Sequence, residues 1–104
     1  MSLELAATFA ALGDPTRLAL VERLRGAEAL AVGSLAEGLP MSRQAVSKHL
    51  AVLAEGGVVS ASREGRQVLY RLEPARVAEA EAFLQAVGER WDAALGRLKA
   101  HVER

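Results

Sequence analysis

Cysteine is absent from this chain, which excludes a disulfide framework and a thiolate metal site. Histidine occurs only at His49 and His101. Four residues are aromatic. No apolar run approaches the roughly 18 residues needed to cross a bilayer, so no membrane partner is expected. The catalytic signatures are missing as well. There is no Ser/His/Asp set with a local signature, no phosphate-cradling glycine loop after a strand, and no Glu-x-x-His pair. The expectation is therefore a protein that is not an enzyme and carries no cofactor. The start, "MSLELAATFAALGDPTR", has no basic segment and carries Glu4, so a signal peptide is not expected and the cytoplasm is the expected compartment.

What is present is a chain of 104 residues, half of them hydrophobic and mostly Ala, Leu and Val. That fits one helical domain over residues 1–104. The formal net charge of zero conceals an asymmetry. Residues 41–72 hold Arg43, Lys48, Arg63, Arg66 and Arg71 against Glu55 and Glu64, a local balance of +3, leaving −3 for the rest. A basic patch on a slightly acidic molecule suits a polyanion docked on one face, although ordinary surface charge would look the same.

Leu5, Phe9 and Leu12 fall at helical spacing and predict a short first helix ended by Gly13. "DPTR" starts a second helix: Asp14 can accept from the free N–H groups of the first turn, and Pro15 sits where its missing N–H costs nothing. Leu18, Val21 and Leu24 are its expected buried stripe, and Gly26 its stop. "LAVGSLAEGLP" reads as a short extended piece and a two-turn helix from Ser34 to Gly38, with Leu35 pointing inward. After a tight turn at Pro40, Ser42 caps a helix over about 43–55. Val46, Leu50 and Leu53 form its buried face; Gln44, Ser47, Lys48, Ala51 and Glu55 lie opposite. "VVSASR" and "QVLYRL" read as two strands joined by "EGR", with Gly65 supplying the turn conformation. A helix-turn-helix followed by a hairpin is a winged helix-turn-helix, mainly α with a small β-hairpin wing.

The last helix is expected over about 75–103, opened by Pro74. Val77, Ala80, Leu84, Val87, Trp91, Ala94 and Leu98 follow a heptad spacing, widened by Phe83 and Leu95. Such a face is too broad for a small domain to bury. A homodimer through the first and last helices is expected, with Leu5, Phe9, Leu84, Val87, Trp91, Leu95 and Leu98 at its interface. The alternative is a helix pair within one chain.

The residue types at the start of the 43–55 helix suit double-stranded DNA. Gln and Arg can bond base edges, while Ser, Lys and His can hold phosphates. Ser42, Arg43, Gln44, Ser47 and Lys48 supply them, and Ala51 is small enough for close approach. His49, at the edge of the buried face, can reach a phosphate or serve in packing. Arg63 and Arg66 flank the wing turn, where they can reach the DNA backbone or stay solvated. Arg17, Arg23 and Arg25 are expected to pair with carboxylates or face solvent. A winged-helix protein-interaction module is the rival reading, but it would favour apolar residues at 44, 47 and 48.

"FAALGDPTRLALVERL", "SRQAVSKHLAVLAEGGVV" and "REGRQVLYRL" together resemble the ArsR/SmtB family of bacterial winged-helix repressors. The resemblance spans about residues 5–73, in the family's order and spacing. It implies a homodimer that binds an inverted-repeat operator and is released by an effector. Metal-responsive members carry a Cys-x-Cys pair where this chain has Ala31 and Gly33, so that site is absent. A second family site uses Asp, His and Glu from the last helices. Here that helix offers Asp92, His101 and Glu103, with one histidine only, so a metal-responsive repressor is the secondary reading. The main reading has no metal site, and leaves as effector a small molecule between subunits, a protein partner, or none.

Overall fold

The computed structural model describes residues 2–102. Five helices and three strands follow in chain order: α1 (Leu3–Leu12), α2 (Pro15–Arg25), β1 (Leu30–Ala31), α3 (Val32–Ala36), α4 (Arg43–Glu55), β2 (Val59–Glu64), β3 (Gln67–Leu72) and α5 (Pro74–Val102). Residue 103, to which the last helix was expected to run, lies outside the described residues.

Local chemistry sets the main helix starts. Asp14 Oδ2 accepts from the Arg17 N–H at 3.0 Å with Pro15 in the first helical position, and Ser42 Oγ accepts from the Ala45 N–H at 3.1 Å. The start of α3 differs from expectation. The helix opens at Val32 rather than Ser34, its N-cap is Ala31, and no side chain caps it. The backbone leaving β1 enters α3 directly, so Ser34 lies inside the helix. The inward face of α2 also differs. Leu20 and Leu24 are fully buried whereas Leu18 is half exposed. At 100° per residue, Leu18 lies about 200° from Leu20, on the opposite side of the helix.

Leu20, Leu24, Leu35, Val46, Leu50 and Leu53 make the centre of the core, so α2, α3 and α4 close on one another. The wing is a sheet in the order β1-β3-β2, antiparallel throughout. β2 runs to Glu64, one residue further than expected, and pairs Glu64 with Gln67. The turn is therefore Gly65-Arg66 alone. Gly65 has φ +64°, which a two-residue hairpin turn needs at its first position when a non-glycine follows. β1, the short extended piece, joins the other edge of β3 through Leu30–Tyr70 and Ala31–Leu69.

α1 turns a slightly different face inward than its leucines suggest. Leu5, Thr8 and Ala11 are buried, and Phe9 is half-buried against Phe83 of α5, ring centres 5.5 Å apart. Thr8 Oγ1 lies 2.6 Å from the Gly56 carbonyl at the end of α4 and 3.1 Å from the Glu4 carbonyl. Arg76 of α5 donates to Thr8 Oγ1 at 3.1 Å and to the Gly56 and Glu4 carbonyls at 3.3 Å. Gly56 has no room for a side chain, since a Cβ there would sit 2.7 Å from the Ala11 methyl. These contacts latch α1 and the first turn of α5 onto the end of α4.

Beyond that latch α5 leaves the domain. Its 29 residues span about 44 Å at 1.5 Å per residue. The radius of gyration is 17.8 Å, against about 13 Å for a compact chain of this length. Among the described residues Ala80 is the one buried position on α5. Leu84, Val87, Trp91, Leu95 and Leu98 are exposed, Trp91 by 65%. Leu5, by contrast, is already covered within the chain at 8%, and the open leucine of α1 is Leu3.

Candidate nucleic-acid interface

The core fixes which face of α4 is left outside. Val46, Leu50 and Leu53 are fully buried, so the residues between them must turn outward. Ser42, Arg43, Gln44, Lys48 and Ala51 are exposed, and Ser47 is half-buried. All lie in the first two and a half turns of the helix. Arg63, one pair back from the wing turn, and Arg66, within it, are also exposed.

The cations divide into two sets. Arg17 donates through Nε to the Ala11 carbonyl at 2.6 Å. Arg23 donates to the Leu35 carbonyl at 2.9 Å and to the Glu37 carbonyl, tying α2 to the end of α3. Arg25 pairs with Glu22, and Arg71 reaches Ser62 Oγ across the hairpin at 3.3 Å. Arg17 and Arg23 thus cap backbone carbonyls, where pairing with carboxylates or exposure to solvent was expected. A guanidinium has five fixed donors and suits clustered carbonyls at helix ends. Among the described residues Arg43, Lys48, Arg63 and Arg66 have no hydrogen-bond or ion-pair partner. Arg90 and Arg97 on α5 are unpaired as well, but within residues 13–73 the unpaired cations lie on the α4 start and the wing, available to an external anion.

His49 belongs to the inner set. Its Nδ1 lies 3.3 Å from Arg17 Nη1 and 3.9 Å from Asp14 Oδ2, and its side chain is one-quarter exposed. That network ties α4 to the start of α2, which favours the packing role over phosphate contact. The Arg17 N–H bond is the largest influence on the Asp14 carboxyl and holds it below its ordinary value of 3.8. Desolvation, the next largest influence, opposes it, and the Arg17 guanidinium and His49 add smaller effects in the lowering direction.

Between α3, the start of α4 and the wing lies an open basin of about 540 Å³. Ser34, Arg43, Arg66 and Gln67 supply its polar groups, and Gly33 forms part of its floor. Sequence reasoning missed Gly33, Ser34 and Gln67 as parts of this surface. No local pattern announces them, because the basin exists only once β1 has placed α3 beside the wing.

Among the described residues neither family metal position has a donor set within one chain. Ala31 and Gly33 carry no ligating atom, and Asp92 and His101 are nine residues, about 14 Å, apart along α5. Glu103 lies outside the described residues. No group of three or more His, Cys, Asp or Glu side chains able to hold a metal ion occurs among the described residues. No described helix is long and apolar enough to cross a membrane.

Residues 12–60 match a family described as a helix-turn-helix domain. The HTH-type transcriptional regulator Rv2034 of Mycobacterium tuberculosis is 48% identical over 68 residues, covering 65% of this chain and 63% of that protein. The chain thus spans slightly less than two thirds of that relative's length. Among solved structures, an ArsR-like transcriptional regulator from Rhodococcus sp. RHA1 aligns with 40% identity and a TM-score of 0.75, covering 92% of this chain and 90% of that one. A homodimeric winged helix-turn-helix DNA-binding domain from Mycobacterium bovis aligns with 31% identity and a TM-score of 0.67, over 83% and 79% of the two chains. Fold, wing and sequence agree: the chain belongs to the ArsR/SmtB family of winged helix-turn-helix transcriptional regulators.

Proposed function

We propose that the chain is a homodimeric, sequence-specific regulator of transcription in the cytoplasm, a repressor that binds an inverted-repeat operator in double-stranded DNA. The observation that carries the reading is the set of exposed, unpaired cations on the first turns of α4 and on the wing, while the remaining arginines of the helix-turn-helix are used internally. Gln44 and Arg43 reach for base edges or the adjacent backbone, Ser42, Ser47 and Lys48 hold phosphates, and Arg63 and Arg66 follow the backbone beside the wing. His49 acts from within by holding α4 against α2.

Support for the dimer comes from α5. Its row of Leu84, Val87, Trp91, Leu95 and Leu98 is exposed among the described residues, and the Mycobacterium bovis relative is homodimeric. Among the described residues, nothing beyond α5's own backbone comes within 4 Å of a Cβ placed at Gly88 or Gly96, so both leave room for a second helix to approach. Phe9 meets this surface through Phe83. Twofold symmetry then sets the two α4 helices about one DNA turn, roughly 34 Å, apart. The missing donors at Ala31 and Gly33, and the sparse set on α5, support regulation that does not depend on direct metal binding. What remains as effector is a small organic molecule between the subunits, a protein partner, or none.

The test is a charge reversal. Arg63→Glu with Arg66→Glu, both exposed on the wing, leaves the core intact and is expected to abolish duplex binding. Gln44→Ala is expected to relax base preference, and Lys48→Ala to weaken all duplexes alike. Unchanged affinity in all three variants would refute the assigned face.

A further inference from the structure

The basin beside α3 is more specific than a patch of surface charge, and Gly33 is the reason. A Cβ built at Gly33 would lie 3.2 Å from Arg43 Nη2 and 3.3 Å from Arg43 Cζ. The guanidinium therefore lies against the bare backbone of α3. A longer residue at 33 would lift it off. Arg43 is the first residue of α4, so a guanidinium held in this way is turned toward α3 and the wing. Arg66 and Gln67 close the basin from the hairpin, and Ser34 adds a hydroxyl from α3. Two guanidinium groups, an amide and a hydroxyl around one open concavity offer donors to a tetrahedral oxyanion from several sides. No carboxylate pairs with either arginine among the described residues.

We propose that this basin is the seat of one backbone phosphate of the bound duplex, with Arg43 as a phosphate clamp rather than a reader of bases and Gly33 as the residue that positions it. The inference rests on the DNA-binding reading and adds to it. It places one phosphate between α3 and the wing. It also gives a use to the position where metal-responsive relatives, by the resemblance, carry a thiolate.

The experiment is a double-mutant cycle of Gly33→Ala and Arg43→Ala in the full chain. The probes are a duplex selected by the wild-type chain from a randomised pool and an unrelated duplex of equal length. Gly33→Ala is not expected to unfold the protein, because the atoms it meets are the far end of a flexible side chain and Ala is the better helix former. Arg43→Ala is expected to weaken both duplexes by a similar factor, about tenfold, and to lower the salt slope by about one unit. Gly33→Ala is expected to weaken binding by about threefold when Arg43 is present and to have no effect in the Arg43→Ala background, the signature of coupled residues. Loss of base preference at one operator position in Arg43→Ala, with the salt slope unchanged, would make Arg43 a base reader and overturn the proposal. An equal effect of Gly33→Ala in both backgrounds would overturn it too. In either case wild-type binding would stand. Absence of duplex binding by the wild-type chain would sink the proposal together with the DNA reading beneath it.

Discussion

Thr8→Val tests the latch that joins α1 and α5 to the end of α4. Valine has the shape of threonine, so the change removes a hydroxyl and leaves no cavity. Thr8 is 1% exposed. Its hydroxyl lies 2.6 Å from the Gly56 carbonyl and receives Arg76 Nη1 at 3.1 Å. A neutral hydrogen bond contributes about 1 kcal/mol net and one to a charged donor about 1.5–3 kcal/mol. Part of this is retained, since Arg76 still reaches the Gly56 and Glu4 carbonyls at 3.3 Å. The expected cost is about 2 kcal/mol. For a domain of this size that lowers Tm by about 10 °C. Thermal unfolding followed by circular dichroism, at one fixed protomer concentration, reads it directly. Thr8→Ser keeps the hydroxyl and is expected to lose much less. A Thr8→Val melting point within about 2 °C of wild type would refute the latch as a source of stability.

Leu35→Ala empties the contact between α3 and the core at a fully buried position and is expected to cost about 2–5 kcal/mol, read by urea unfolding. Leu84→Glu with Leu98→Glu places charges on the exposed row of α5 and is expected to turn a dimer into a monomer in sedimentation equilibrium. Asp14→Asn keeps a competent cap but removes a carboxyl whose folded value lies below 3.8. A lowered folded pKa contributes stability above the unfolded value that disappears as pH falls through the folded one. Wild type is therefore expected to be the more stable at neutral pH, with the difference vanishing well below pH 3.8.

The helix-turn-helix and its wing were readable because their signals are local. Asp14-Pro15 and Ser42 mark helix starts, Val46, Leu50 and Leu53 keep one face, and Gly65 marks the hairpin turn. The outward placement of Arg43, Gln44 and Lys48 follows from that same face. Leu18 was misplaced because the four large apolar residues of α2, Leu18, Leu20, Val21 and Leu24, can define more than one stripe, and the choice of Leu20 is made by α3 and α4 packing against it. The Thr8–Arg76 contact joins residues 68 apart, and His49–Arg17 joins residues 32 apart. Neither pair has a spacing that sequence periodicity can show. The basin of Gly33, Arg43 and Arg66 is likewise a product of three elements meeting, and a glycine in a short helix carries no sign of what lies above it.

The central claim is that the free cations of α4 and the wing meet a duplex. The most direct measurement is the affinity of the intact chain for its selected duplex across a range of salt concentrations. Tight binding is expected at low salt, with a steep linear fall of log K with log salt, a slope of several units from phosphates engaged by both protomers. Weak binding, or affinity indifferent to salt, would contradict it.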